Sequence, residues 1–206
     1  LIPTGSADPY ALRRSAIGIL NILLDRGYRL SIPELVEKSL ELLAAKLTRP
    51  RDQVQAEVVE FIRLRLVNML TGRGIPADVV EAVLSARFDD PLDAVARVEA
   101  LAALKAQAGF EPLAVAFKRV GNIIKGGVET PLRAELFEAD CERILAEATT
   151  QAGAAVSKAV AGGDYAAALQ AIAALRLPVD AFFDGVMVMA DDAGVKGNRL
   201  ALLTEV

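Results

Sequence analysis

Leu113-Ala-Val-Ala-Phe-Lys-Arg-Val-Gly-Asn-Ile-Ile-Lys125 is the stretch that decides the fold. Leu113, Ala116, Phe117, Val120 and Ile124 recur at the i, i+3, i+4, i+7 spacing that gathers side chains on one side of a helix. Lys118, Asn122 and Lys125 fall on the opposite side, with Arg119 on the flank. No other stretch pairs so clear an apolar stripe with so tight a cationic one.

The same period extends in both directions. Asp8-Pro9 opens a helix with Asp as N-cap and Pro in the first turn; its expected buried stripe is Leu12, Ala16, Ile19, Leu20 and Leu23, and Gly27 ends it. Ser31-Ile-Pro-Glu34 repeats the cap signature and starts a helix to about Leu47. Asp52 opens a longer one through Val58, Phe61, Ile62, Arg65 and Met69, ending near Gly72-Arg-Gly74. Pro76 introduces a short helix, and Asp89-Asp90-Pro91 forms a turn and the next cap. Helices are then expected over 90–108, 113–125, 132–161 and 165–175, from Pro178 onward, and from an Asn198 cap to Val206. Val186-Met-Val-Met189 reads as a continuation of the helix before it. The total is about nine or ten helices and no strand, an all-α bundle. The body divides at the 89/90 turn into residues 1–89 and 90–206.

Composition agrees. Of 206 residues, 53 % are hydrophobic and 5 % aromatic, and the apolar share is mostly Ala, Leu and Val, of which Ala and Leu enter helices at little cost. There is no histidine and a single cysteine, Cys141. A Ser-His-Asp triad, a Cys-His pair, a histidine zinc site and an intrachain disulfide are therefore excluded. Neither a signal peptide nor an apolar run of about 18–20 residues is apparent, so the cytoplasm is the expected compartment. The start at Leu1 suggests a piece of a longer protein.

Net charge is −4, against a strongly basic nucleic-acid binder. Residues 1–90 balance 12 cations with 12 anions, whereas 91–206 carry 11 and 15. Yet 113–133 hold Lys118, Arg119, Lys125 and Arg133 against only Glu129. Any RNA-binding surface must be a local patch. Two readings of that patch stay open on residue chemistry alone. An amphipathic helix needs a polar side, and Lys commonly fills it; equally, Lys and Arg neutralise phosphates and Asn reads base edges.

Other chemistry-bearing residues have plain readings. Asp89-Asp90, Asp180/Asp184 and Asp191-Asp192 read as caps or solvated carboxylates. Gly126-Gly127 and Gly162-Gly163 are helix breaks without the context of a phosphate loop. Arg13-Arg14, Arg63, Arg65 and Arg73 have acidic neighbours and read as a solvated face. Cys141 lies on an apolar stripe without a base to activate it.

Four pieces together carry a family resemblance: Asp8-Pro-Tyr-Ala-Leu-Arg-Arg14, Ala116-Phe-Lys-Arg-Val-Gly-Asn-Ile123, Asp180-Ala-Phe-Phe-Asp-Gly-Val-Met-Val-Met189 and Asn198-Arg-Leu-Ala-Leu-Leu203. In this order they resemble the C-terminal part of the β subunit of bacterial, heterotetrameric glycyl-tRNA synthetase. The resemblance implies an N-terminal helical linker region following an HD-like domain. It also implies an arginyl-type (DALR-like) anticodon-binding helical domain over the last half. It implies tRNA-Gly and the synthetase α subunit as partners, no membrane, and a glycine–tRNA ligase whose ATP and Mg2+ chemistry lies mainly on the α subunit. No cofactor, catalytic residue or metal ligand is expected in this chain. By position, Lys118, Arg119, Asn122 and Lys125 are the expected RNA-facing residues, with Asn198 and Arg199 second. The alternative is a helical protein–protein docking module without RNA contact.

Overall fold

A computed structural model describes residues 8, 10–126 and 130–206. Residues 1–7, Pro9 and 127–129, among them Leu1, Gly127 and Glu129 named above, lie outside the described residues. Among the described residues there are ten α-helices, three short 3-10 turns and no strand. The all-α expectation holds. The chain forms two units, Leu1–Ala102 and Ala103–Val206.

The first unit contains α1 (Leu12–Arg26), α2 (Ile32–Leu42), α3 (Arg51–Gly72), α4 (Ala77–Ala86) and most of α5 (Pro91–Lys105). Its core joins Leu20 and Leu23 of α1, Ile32, Val36 and Leu40 of α2, Leu66 and Leu70 of α3, Val80 and Leu84 of α4, and Ala94 and Val98 of α5. α5 starts at the turn the sequence points to. Its first turns nevertheless pack into this core, so the units divide inside α5 and not at 89/90.

Local signals set the ends. Gly27 closes α1 at φ 66, a left-handed conformation in which a side chain would be strained. Ser31 Oγ accepts from the Glu34 amide at 3.3 Å. The Asp8 carboxylate accepts from the amides of Arg13 and Arg14, reaching the first turn of α1 from outside it. α2 stops at Leu42 and a 3-10 turn, Ala44–Lys46, replaces its expected last turn. Arg63 bonds Glu60 at 2.7 Å and Glu81 at 3.0 Å, and Arg65 lies 3.8 Å over the Phe61 ring.

Two residues of the expected α1 stripe are not in the core. Leu12 and Ile19 are exposed, as is Val58 of α3. α1 meets α3 along Ala16, Leu20 and Leu23, leaving Leu12 and Ile19 at the lip of a groove with Val58.

The second unit contains α6 (Phe110–Ile123), α7 (Asp140–Ala161), α8 (Tyr165–Ala173), α9 (Arg176–Gly185) and α10 (Ala193–Glu205). Ala116 and Val120 of α6, Leu145 of α7, Val179, Phe182 and Phe183 of α9, and Leu202 and Leu203 of α10 form its core. Tyr165–Gly185 has the length and hydropathy of a membrane span, contrary to the sequence reading. In the fold it is broken between α8 and α9, and Leu175, Val179, Phe182 and Phe183 are buried.

Three further expectations are corrected here. The 132–161 stretch is not one helix. Ala134–Leu136 is a 3-10 turn and α7 begins at Asp140, because the Glu142 carboxylate accepts the amides of Glu138 and Ala139 at 2.8 and 2.7 Å and holds the entry extended. Asn198 does not cap the last helix. Asp192 does, accepting from the Val195 amide at 2.8 Å. Val186–Met189 does not continue α9: Val186 is extended at φ −139, ψ 148, with Val188 buried and Met187 and Met189 exposed.

Candidate nucleic-acid interface

α6 forms because its apolar residues recur at helical spacing and find a core. Leu113, Ala116 and Val120 are buried, which turns Lys118, Arg119 and Asn122 outward. Lys125 follows in the 3-10 turn Ile124–Gly126 and is also exposed. The sequence brings these four together as expected. The Arg119 guanidinium is braced 3.9 Å over the Phe183 ring, a cation–π contact. Phe183 in turn meets Phe182 edge-on, with centroids 5.6 Å apart.

Beside Arg119 runs an open groove of about 530 Å³ lined by Ile123, Phe183 and residues 184–189. Met187 is 76 % and Met189 53 % exposed. Asp184 is exposed on the same lining. Gly185 is required where it stands: a Cβ there would meet Cys141 Sγ at 2.7 Å. Cys141 is half-buried beneath Gly185.

Asn198 and Arg199 are placed elsewhere, and their expected RNA-facing role is corrected. Asn198 is 1 % exposed. Its side-chain oxygen accepts the Arg133 amide at 2.7 Å, and its side-chain nitrogen donates to the Arg133 carbonyl at 2.9 Å. Arg199 is 6 % exposed. Its Nε donates to Glu142 at 2.9 Å, its Nη2 to Glu138 at 2.9 Å, and its Nη1 to the Met187 carbonyl at 3.1 Å. Both side chains are buried and turned onto protein partners, so neither is presented to a ligand at the surface. Arg199 instead ties the Met187 carbonyl on the groove wall to α10.

Burial alone would raise the pKa of Glu142. Hydrogen bonds from Arg199 and from the Ala139 and Glu138 amides outweigh it and hold the carboxyl below its ordinary 4.5. Three of the other paired carboxylates have structural partners. Asp90 caps α5 through the Leu92 amide and pairs with Arg29 at 3.1 Å, Asp89 pairs with Arg87, and Asp180 pairs with Arg176.

The family model described as "Glycyl-tRNA synthetase beta subunit" matches residues 1–85. The glycine–tRNA ligase beta subunit of Syntrophotalea carbinolica is 62 % identical over 206 residues, covering 100 % of this chain and 30 % of the relative. That of Geobacter sp. strain M21 is 57 % identical, and that of Geobacter metallireducens 56 %, each over 99 % of this chain and 30 % of the relative. Over its whole length the chain is similar to these glycine–tRNA ligase beta subunits. It spans about 30 % of the length of the curated relatives it matches. Within the family match, residues 1–85 take in α1 to α3 and nearly all of α4. The candidate interface on α6 lies beyond that match, in the part covered by the full-length relatives.

Proposed function

We propose that this chain gives a glycine–tRNA ligase its grip on the tRNA anticodon arm, while ATP-dependent glycylation of tRNA-Gly takes place with the α subunit in the cytoplasm. The observation that carries the reading is the outward face of Lys118, Arg119, Asn122 and Lys125 on a net-acidic chain. An acidic body confines phosphate attraction to that face, which orients the RNA. The second unit serves as the anticodon-binding bundle.

The test is a tRNA-Gly titration with the full β subunit and its α partner, at about 50 and 200 mM salt. Lys118→Ala with Lys125→Ala weakens binding. It also lowers the slope of log affinity against log salt by roughly 1.4–1.8, the loss of two phosphate contacts. Unchanged affinity and slope would remove α6 as the contact surface.

A docking role is favoured for the first unit by a separate observation. Leu12, Ile19, Ile22 and Val58 are exposed around or near a groove of about 370 Å³. Apolar side chains grouped in this way mark a contact surface, and relatives carry more than twice this length of further chain. The rest of the β subunit is the proposed occupant. Ile19→Glu with Ile22→Glu in the full-length subunit lowers its thermal midpoint by several degrees; a midpoint within 1 °C of wild type would show the face is not covered.

A further inference from the structure

The arginines of α1 and α3 are settled in different ways. Arg14 pairs with Asp8 at 3.6 Å, and Arg63 with Glu60 and Glu81. Arg65 instead stands over the Phe61 ring and shares an open cleft of about 460 Å³ with Arg13, Ile17, Asn68 and Met69. Burial and the adjacent Arg13 charge both push the Arg65 pKa down, and Asp8 offsets them in part. The Asp8 carboxylate, however, already accepts the Arg13 and Arg14 amides and pairs with Arg14. The surroundings of the two guanidiniums are apolar. Ile17 is exposed on the cleft lining, and Phe61 joins the cleft to the groove where Leu12, Ile19 and Val58 are exposed. Such a surface offers nothing to a phosphate backbone and suits a protein segment. A segment laid over it would also take Arg13 and Arg65 out of water. Two like charges are costly to cover unless the cover neutralises them and completes their hydrogen bonds. A carboxylate does both, because its two oxygens match the guanidinium fork.

We infer that the part of the β subunit proposed above to cover the first unit brings an Asp or Glu side chain into this cleft, where it bridges Arg13 and Arg65. Asn68, one turn along α3 from Arg65, supplies a further donor at the same place. The inference rests on the docking reading and adds the chemistry of the occupant: apolar residues for the groove and a carboxylate for the cleft beside it.

The experiment uses the full β subunit with its α partner, carrying the photo-crosslinker p-benzoylphenylalanine in place of Ile17. Irradiation, with or without tRNA-Gly, joins it to a β-subunit peptide that lies outside this chain and contains Asp or Glu. Arg65→Gln lowers the thermal midpoint by about 5 °C or more, and so does the amide variant of the captured acid. The two together cost no more than either alone, because they remove one interaction. Arg65 also packs on Phe61, and that contact by itself would make the two losses add. Additive losses, or a captured peptide without an acid, overturn the carboxylate and leave the docking reading in place. Capture of tRNA alone, with Arg65→Gln lowering tRNA affinity and not the midpoint, overturns it in favour of a phosphate site. A probe that captures nothing also overturns it; if Ile19→Glu with Ile22→Glu is then silent in the melt, the docking reading falls as well.

Discussion

Arg199→Met will destabilise the second unit by roughly 3–5 kcal/mol. The reason is what it leaves behind. Glu142 is fully buried, and Arg199 supplies its only side-chain counter-charge in the described structure. Removing the arginine strands a carboxylate that the Glu138 and Ala139 amides only partly satisfy. For a unit of about 100 residues the thermal midpoint falls on the order of 15 °C or more. The double variant Arg199→Met with Glu142→Leu recovers much of the loss, because two apolar groups need no partner. A double variant no more stable than the single would show that the ion pair is not the cause. The pH dependence has a definite sign. Glu142 has a folded pKa below its ordinary 4.5, so its contribution is present above pH 4.5 and is lost as pH falls through the lowered value. The gap between wild type and Arg199→Met therefore narrows on acidification below pH 4.5. A constant gap down to pH 3 would refute the assignment.

Phe182→Ala will cost a comparable amount, roughly 3–5 kcal/mol. Phe182 is fully buried among residues from α6, α7, α9 and α10 and packs edge-on against Phe183. Its loss opens a cavity where four helices meet, and rigid helices close such a space poorly. Because Phe183 carries Arg119, the variant should also weaken tRNA binding under conditions where it remains folded. Phe182→Leu keeps most of the volume and separates the effects, with a smaller stability loss and tRNA affinity near wild type. Chemical denaturation and titration at 15 °C measure both; equal losses for Ala and Leu would mean that volume is not what matters.

The helices were legible because their signals are local. Ser31, Asp164 and Gly27 act within one turn of the ends they define, and each acts as its chemistry dictates. The cationic face of α6 was legible for the same reason. What was hidden depends on partners far along the chain. Asn198 and Arg199 sit in a tail that looks polar, and nothing within a few residues shows that Arg133 and Glu142 will enclose them. Leu12 and Ile19 carry the helical period faithfully, yet the period cannot say whether a neighbour covers them. The groove was missed because Val186–Met189 reads as a continued helix; the bond that the Met187 carbonyl accepts comes from Arg199 on a later helix.

The bracket between Arg199 and Glu142 spans 57 residues of sequence. A ribosome adding about 5–20 residues per second needs roughly 3–11 s to travel that distance. During that interval α7 has been made while its buried carboxylate has no counter-ion, and the wall beside α6 has nothing to hold it. The nascent second unit must therefore wait, unable to lock, until α10 emerges. Chains stalled before Arg199 should be open to proteases, which ties the setting of the wall beside the proposed binding face to the arrival of α10.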